Sequence, residues 1–506
     1  MTQPIPVIDI FAGPGGLGEG FSSLKKYNKQ VFKLALSIEK EASAHQTLAL
    51  RALYRTFGNT VPDSYYDYIT GSITKQEFYG NKRVATNLDE AANEARNATL
   101  GITPSKNIDQ WIKAGIKGQS KWVLIGGPPC QAYSLAGRSK MMNSDLEKYE
   151  SDSRHLLYKE YLRIIKEHMP PVFIMENVTG ILSSKLNGEL IFKKIIKDLT
   201  NPKKGLEYEI RSLTLDSQAG ELKPRDFIIE SERYGIPQAR HRVILFGIRK
   251  DLAKKTHRIL KEEELVTVND VLKSMPHIRS RLSKEKDSLK DWCKTVQSTK
   301  SMLSGWNPVL KKALTTEMDR NAQLSLEIIS TGATFLKGKP KVLRNSQLND
   351  WLIDSKLTGI IQHEARSHMR SDIQRYFLLS NYAKVLERSP KISELPPKLL
   401  PNHKNASSIN APFQDRFRVQ LGDQPSATIV SHISKDGHYY IHPDPSQARS
   451  LTVREAARLQ TFPDNYYFEG NKTSQYGQVG NAVPPLLAKK IAEIVYEFLS
   501  IEVKKT

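Results

Sequence analysis

Val7-Ile8-Asp9-Ile10-Phe11 runs without a break into Ala12-Gly13-Pro14-Gly15-Gly16-Leu17-Gly18-Glu19-Gly20-Phe21. A short run of mostly consecutive apolar positions reads as a strand buried on both faces. A glycine-rich turn directly after such a strand lets the backbone approach a nucleotide-type ligand at the strand's carboxyl edge. Gly13, Gly15 and Gly18 also satisfy G-x-G-x-x-G, so a dinucleotide site stays open at this point. About 20 residues on, Leu34-Ala35-Leu36-Ser37-Ile38 ends at Glu39, a carboxylate able to accept both hydroxyls of a ribose. Trp122-Val123-Leu124-Ile125, Val172-Phe173-Ile174-Met175 and Val243-Ile244-Leu245-Phe246-Gly247-Ile248 have the same strand character. Helical periodicity falls between some of them, as from Ser153 to Met169, where Leu156, Leu157, Tyr161, Ile164 and Ile165 recur at helical spacing. Strands alternating with helices predict an α/β fold, an open sheet with helices on both faces.

The pattern changes after about Asp251, where Lys-rich helical stretches, Pro-rich joints and short β-like pieces such as Ser426-Ala427-Thr428-Ile429-Val430 replace it. It becomes regular again from Leu451 and ends in an amphipathic helix from Pro485 to Ile501. The expected division is therefore 1–250, a smaller mixed domain over 251–450, and 451–506 returning to complete the first. The stretch Met141 to Ser153, polar and acidic, reads as a loop.

The chain has 506 residues, enough for a sizeable core without staples. No apolar run approaches the roughly 18 residues of a membrane span. Met1-Thr2-Gln3-Pro4-Ile5-Pro6 lacks the basic and apolar regions of a signal peptide. Two cysteines, Cys130 and Cys293, exclude a disulfide framework and a Cys-rich zinc module, and a cytoplasmic location is expected. Lys+Arg 75 against Asp+Glu 54 leaves a net charge of +21, an excess that favours a polyanionic partner. About half of that excess falls within 251–450.

Gly126-Gly127-Pro128-Pro129-Cys130-Gln131 closes a second buried strand. Two prolines fix φ and stiffen the loop that presents Cys130, whose thiolate form would be a nucleophile. Cys293 lacks such a setting and reads as packing. Glu176-Asn177-Val178 ends a third strand, where a carboxylate can hydrogen-bond a heterocycle nitrogen or simply cap a helix. Gln238-Ala239-Arg240-His241-Arg242 leads into the fourth, and strand alternation predicts Gln238, Arg240 and Arg242 on one face. Two guanidinium forks there suit a phosphate or a base carbonyl, or a salt-bridged face.

Taken in order, these residues resemble the cytosine-C5 DNA methyltransferases of bacterial restriction–modification systems. The resemblance rests on Phe11-x-Gly13-x-Gly15, Pro128-Pro129-Cys130-Gln131, Glu176-Asn177-Val178 and Gln238-x-Arg240-x-Arg242. Leu451-Thr452-Val453-Arg454-Glu455-Ala456-Ala457-Arg458-Leu459-Gln460-Thr461-Phe462-Pro463 and Gln478-Val479-Gly480-Asn481-Ala482-Val483-Pro484-Pro485 complete it. One block departs. The family's usual Gly-Asp-Ile is met here only by Gly71-Ser72-Ile73, so Ser72 and Ile73 are expected beside the adenine in place of the acidic motif.

The resemblance implies a Rossmann-like S-adenosyl-L-methionine-dependent sheet plus a target-recognition domain. It implies methyl transfer to C5 of a flipped-out cytosine in a specific duplex sequence, with S-adenosyl-L-homocysteine as product. Cys130 would add to C6, Glu176 would hold N3 and the amino group, Arg242 would hold the base oxygen, and Gln238 and Arg240 are counted with them as catalytic. Phe11, Ala12, Gly13, Gly15, Gly16, Glu39, Pro129, Asn481 and Val483 would line the cofactor, and the terminal helix would pack beside the first strand. Gln131, Ser134, Arg138, Arg366, Arg370 and Lys435 are expected at the DNA, with the polar segment from Ala132 to Ser153 as a lid. Arg366, Arg370 and Arg375 read as helix neighbours, and Ser431 to Tyr440 as a hairpin with a Lys-Asp-Gly turn. His363 and His368 are five apart, off metal-ligand spacing, and no metal is expected. Double-stranded DNA is the expected partner, with a separately encoded cognate restriction endonuclease, and the chain is expected to be a monomer. An RNA cytosine-C5 methyltransferase on the same scaffold, a non-enzymatic DNA-binding relic and an NAD oxidoreductase are the alternatives.

Overall fold

The computed structural model describes residues 3–129, 154–186, 188–216, 222–303, 307–338, 341–401 and 414–501. Its centre is an eight-stranded sheet. The elements that matter for the site are β1 (Ile5–Ile10), α1 (Gly16–Ser23), β2 (Phe32–Glu39), α2 (Ala42–Thr56), β3 (Ala95–Asn97), β4 (Val123–Gly126), α3 (Arg154–His168), β5 (Val172–Val178), β6 (Tyr208–Arg211), β7 (Ile228–Glu230), β8 (His241–Arg249), α4 (Arg370–Leu386), α5 (Lys472–Asn481) and α6 (Pro485–Ser500).

The sheet order is β6-β8-β5-β4-β1-β2-β3, with β7 also on β8. The pairs β5–β4, β4–β1, β1–β2 and β2–β3 are parallel. β8 runs antiparallel to β5, β6 and β7. Hence the carboxyl ends of β1 to β5 share one edge, and the amino end of β8 meets them there.

Alternation along β1 sends Val7 to one face of the sheet and Ile8 and Ile10 to the other. On the first face Leu17 and Phe21 of α1 and Leu487, Ile491, Val495 and Phe498 of α6 pack over Val7, Phe32 and Phe246. On the second, Tyr161, Ile164 and Ile165 of α3 cover Leu124, Phe173 and Leu245. Each such fully buried side chain contributes about 1.5–3 kcal/mol, so both layers are needed to hold the sheet. α6 lies against α1 at Gly20, where a Cβ would collide with Ala488. It therefore reaches the sheet through Phe32 and Phe246, whose rings meet Tyr496 and Phe498 at 6.3 and 5.7 Å between centroids.

A separate apolar cluster joins Trp292, Val296, Leu314 and Met318 to Ile373, Phe377 and Phe417. The chain returns to the sheet through a segment of buried charges. Thr452 caps the helix Val453–Leu459 in a box with Glu455. Arg449 grips Glu455 at 2.7 Å through both terminal nitrogens. Arg458 meets Asp464 at 2.9 and 2.6 Å. Arg454 donates to the Pro463 and Tyr466 carbonyls at 3.1 and 2.7 Å. These side chains are fully buried; Arg449 and Arg458 are matched by carboxylates and Arg454 is hydrogen-bonded to carbonyl oxygens, the partners that such burial requires.

Three local expectations are corrected. Residues 363–375 are not one helix: strand Gly359–Glu364 and a short bridge at Ser367–His368 precede α4, so Arg366 lies outside it. Ser431–Tyr440 is not a hairpin but a 3-10 turn, Ser431–Ser434, followed by a loop through Gly437. Of Ser426–Val430, only Ser426–Ala427 is strand, paired parallel with Gln238–Ala239.

Candidate active site

Phe11 leaves β1 in the left-handed region at φ +58°, a costly conformation for a bulky residue that persists only where surroundings impose it. Ala12 then donates to the Ile38 carbonyl at 3.1 Å, tying the turn to the end of β2. Gly13 and Gly15 also take positive φ, +58° and +97°. A Cβ at Gly15 would lie 2.8 Å from Leu48 and 2.9 Å from the Tyr466 hydroxyl. One at Gly16 would strike the Val483 carbonyl. Nothing lies within 4 Å of the Cβ position at Gly13. The turn is thus closed behind and open in front, a cradle that a side chain at 13 would fill.

Glu39 flanks this cradle. Its Oε2 accepts from the Gly13 N–H at 2.8 Å and its Oε1 from the Lys40 and Glu41 N–H groups at 2.9 and 2.8 Å. The carboxylate is therefore fixed at the carboxyl edge. Phe11 and Ala12 are half-buried, as is Pro129, and Val483 is buried. Asn481 ends α5 with its side chain exposed. This donor set, a carboxylate beside an open glycine turn and a half-exposed aromatic ring, fits an adenosyl cofactor.

Ser72 and Ile73 are not on a strand of the sheet. They follow the helix Asp63–Thr70, where both amides donate to the Asp67 carbonyl at 2.8 and 3.3 Å. The residue opposite Glu39 in the sheet is Asn97, at the end of β3. Its side-chain amide donates to the Glu39 and Lys40 carbonyls at 3.0 and 3.3 Å. β3 is only three polar-rich residues long and carries no apolar run, so nothing in the sequence marks it as a strand.

The reactive corner lies between β4, β5 and β8. Gly127 packs so closely on Glu176 that a Cβ would be 2.6 Å from Oε2. Asn177 donates to the Pro128 carbonyl at 3.3 Å. Arg242 Nε lies 2.9 Å from Glu176 Oε1, both side chains mostly buried. Burial pushes the Arg242 pKa down, and the Glu176 carboxylate opposes this. Cys130 follows Pro129 directly in sequence. Cys130, Gln131, Ser134, Arg138 and the expected lid from Ala132 to Ser153 lie outside the described residues.

Gln238, Arg240 and Arg242 alternate along the chain and stand on one side of the sheet, the side of Ile244, Ile429 and Leu459, although Arg240 itself interrupts the strand between Ala239 and His241. Gln238 is buried between the 429 and 459 segments, accepting from the Ile429 N–H at 2.8 Å and donating to the Leu459 carbonyl at 3.2 Å. Arg240 donates to the Ile429 carbonyl at 2.7 Å and to the Gly480 carbonyl at 3.4 Å. Burial, and next the charge of Arg242, push its pKa well down. Both side chains brace the seam behind the site, and Arg242 alone reaches Glu176.

The expected DNA contacts also have partners within the chain. Arg366 donates to the Ile433 and Lys435 carbonyls, at 2.5 and 3.2 Å, and stacks 3.9 Å over Tyr476. Arg370 makes a two-pronged pair with Glu285 at 2.9 and 2.7 Å. Arg375 is buried on Asp372 at 2.6 Å. Lys435 is exposed.

Residues 70–497 match the model of the C-5 cytosine-specific DNA methylases. The type II methyltransferase M.Bpa9945I of Bacillus paralicheniformis is 33% identical over 98% of this chain and 99% of its own length. M.AgeI of Thalassovita gelatinovora is 28% identical over 96% and 98%. The DNA (cytosine-5-)-methyltransferase M.ApeKI of Aeropyrum pernix is 28% identical over 81% and 88%. Among solved structures, one described as a prophage-encoded DNA modification methyltransferase of E. coli aligns over 98% of this chain and 100% of its own. Its TM-score is 0.52 at 20% identity, a likeness of fold. None of these names favours the RNA alternative. With the model spanning most of its length, the chain belongs to the C-5 cytosine-specific DNA methylase family and is a DNA (cytosine-5-)-methyltransferase.

Proposed function

We propose that the chain methylates C5 of one cytosine within a specific duplex sequence, through a covalent bond from Cys130 to C6 of a flipped-out base. The observation that carries this is the Arg242–Glu176 pair, seated against Gly127 three residues before Cys130. Cytosine C5 is a weak carbon nucleophile until a thiolate adds at C6. Glu176 is placed to hydrogen-bond N3 and the amino group as the ring gains charge. Arg242 fixes that carboxylate and offers its remaining N–H groups to the base oxygen. Gln238 and Arg240 act by holding the seam behind these two. The base must leave the stack to reach this corner, costing a few kcal/mol.

Phe11, Ala12, Gly13, Gly15, Gly16, Glu39, Pro129, Asn481 and Val483, with Asn97 in the place expected of Ser72, would hold S-adenosyl-L-methionine. When bound, that group supplies an electrophilic methyl and leaves as S-adenosyl-L-homocysteine. Residues 1–250 and 451–506 would form the catalytic unit, and 251–450 the target-recognition unit. Gln131, Ser134, Arg138 and Lys435 would touch the duplex. The relatives' names support pairing with a separate restriction endonuclease. We read the enzyme as a cytoplasmic monomer; among the described residues no helix is long and apolar enough to cross a membrane.

The test is trapping on duplex DNA containing 5-fluorocytosine, whose C5 cannot lose a proton. Wild type should form a covalent complex and Cys130→Ala should not. A complex that persists in the variant would remove Cys130 as nucleophile. Transfer of tritiated methyl to DNA and to tRNA, compared side by side, tests the substrate.

A further inference from the structure

The glycine turn is held in place by a residue that neither the motifs nor the mechanism uses. The Tyr466 hydroxyl donates to the Pro14 carbonyl, in the middle of the turn. It also closes the space behind Gly15, where a Cβ would lie 2.9 Å from the same oxygen. The ring is fully buried between Phe462 and Phe468, at 4.7 and 5.4 Å between centroids. Arg51 of α2 stacks on the ring at 4.8 Å. That guanidinium in turn grips Glu19 of α1 at 3.0 and 2.5 Å and the Asn465 side chain at 3.0 Å. The turn is thus tied at its centre by Tyr466 and at its exit by Glu19. Both ties converge on one buried network, in which Arg51 of α2 links Glu19 to the distant Asn465–Tyr466 segment. Burial raises the Tyr466 pKa, so the hydroxyl keeps its proton and remains a donor.

We infer that Tyr466 is a positioning residue for the cofactor: its hydrogen bond to Pro14 sets Gly13 to Gly16 in a binding-ready shape before the cofactor arrives. Without it the Pro14 carbonyl loses its partner and the turn samples other shapes. Binding must then supply that ordering. The inference rests on the reading that this turn holds S-adenosyl-L-methionine. It adds that a side chain contacting the turn, and not needed for the chemistry, sets the affinity.

The experiment is calorimetric titration of S-adenosyl-L-homocysteine into the full chain and two variants. Tyr466→Phe removes one oxygen and keeps the ring packing. Tyr65→Phe is the control. It deletes a hydroxyl of the same buried cluster, which donates to the Asn465 carbonyl at 3.1 Å, without touching the turn. Tyr466→Phe should bind roughly 3- to 10-fold more weakly, with KM for the methyl donor raised alike and kcat retained. Tyr65→Phe should bind like wild type while losing a similar amount of thermal stability. Backbone hydrogen exchange over residues 12–18 should quicken in the free Tyr466→Phe protein only. Equal affinity in wild type and Tyr466→Phe overturns the inference. So does equal weakening in both variants, which would mean a general loss of stability. No binding by wild type would instead remove the cofactor reading on which it stands.

Discussion

Arg242 Nε lies 2.9 Å from Glu176 Oε1, although the two residues are not partners in the strand ladder: Glu176 faces Ile244, and Arg242 faces Val178. The pair is diagonal, on the face where the carboxyl end of β5 meets the amino end of β8. Glu176→Gln keeps the shape and loses the charge. It should lower single-turnover methyl transfer roughly 10²- to 10³-fold, with duplex affinity nearly unchanged. Gel-shift and quench-flow measurements on one preparation check both halves.

Gly127 has no room for a side chain on the Glu176 side, since a Cβ would stand 2.6 Å from Oε2. The obstacle is the tip of a side chain, which can swing away. Gly127→Ala should therefore fold, with methyl transfer reduced by about 10-fold or more for a displaced catalytic group. A cooperative melt near that of wild type, together with the lost rate, is the expected pair of readings.

Asp464 matches the fully buried Arg458 at 2.6 and 2.9 Å. Asp464→Ala leaves that guanidinium without its carboxylate and should cost about 3–5 kcal/mol. Urea unfolding at neutral pH measures it.

Asp9 is fully buried, its carboxyl beside the Gly18 backbone, and burial holds its pKa well above the ordinary carboxylate value. The Arg55 charge opposes the rise, and Glu39 and Glu94 add to it. The folded chain binds this proton more tightly than the unfolded chain does. Its contribution to stability is full below about pH 4 and is lost as pH climbs towards the raised value. Asp9→Asn, neutral throughout, should gain stability relative to wild type from about pH 4 to pH 7. Denaturant curves at several pH values check this; a difference that does not change with pH contradicts it.

The strands that build the reactive edge are legible because each is a short apolar run followed by a chemical signal, as Val172–Met175 of β5 is followed by Glu176 and β2 ends in Glu39. β3 was not legible. Ala95–Asn97 has three residues and one apolar side chain, and helices stand between it and α2. Alternation puts Arg240 and Arg242 on one side but does not tell which of them pairs with Glu176: Arg242 does, while Arg240 turns to the carbonyls of Ile429 and Gly480, far along the chain. Arg366 looked like a phosphate contact because its neighbours are basic. Its carbonyl partners, Ile433 and Lys435, lie far along the chain, where no local pattern records them. Tyr466 carried no signal at all: its partner, Pro14, is 452 positions away.

That separation has a consequence for how the enzyme is born. Gly16 packs on the carbonyl of Val483, so the wall behind the glycine turn is incomplete until Val483 has emerged from the ribosome. At about 5–20 residues per second, the front of the pocket waits on the order of a minute for its back. A product that stops short of Val483 would carry the nucleophile motif with no wall behind that turn, and methyl transfer would begin only once that segment is in place.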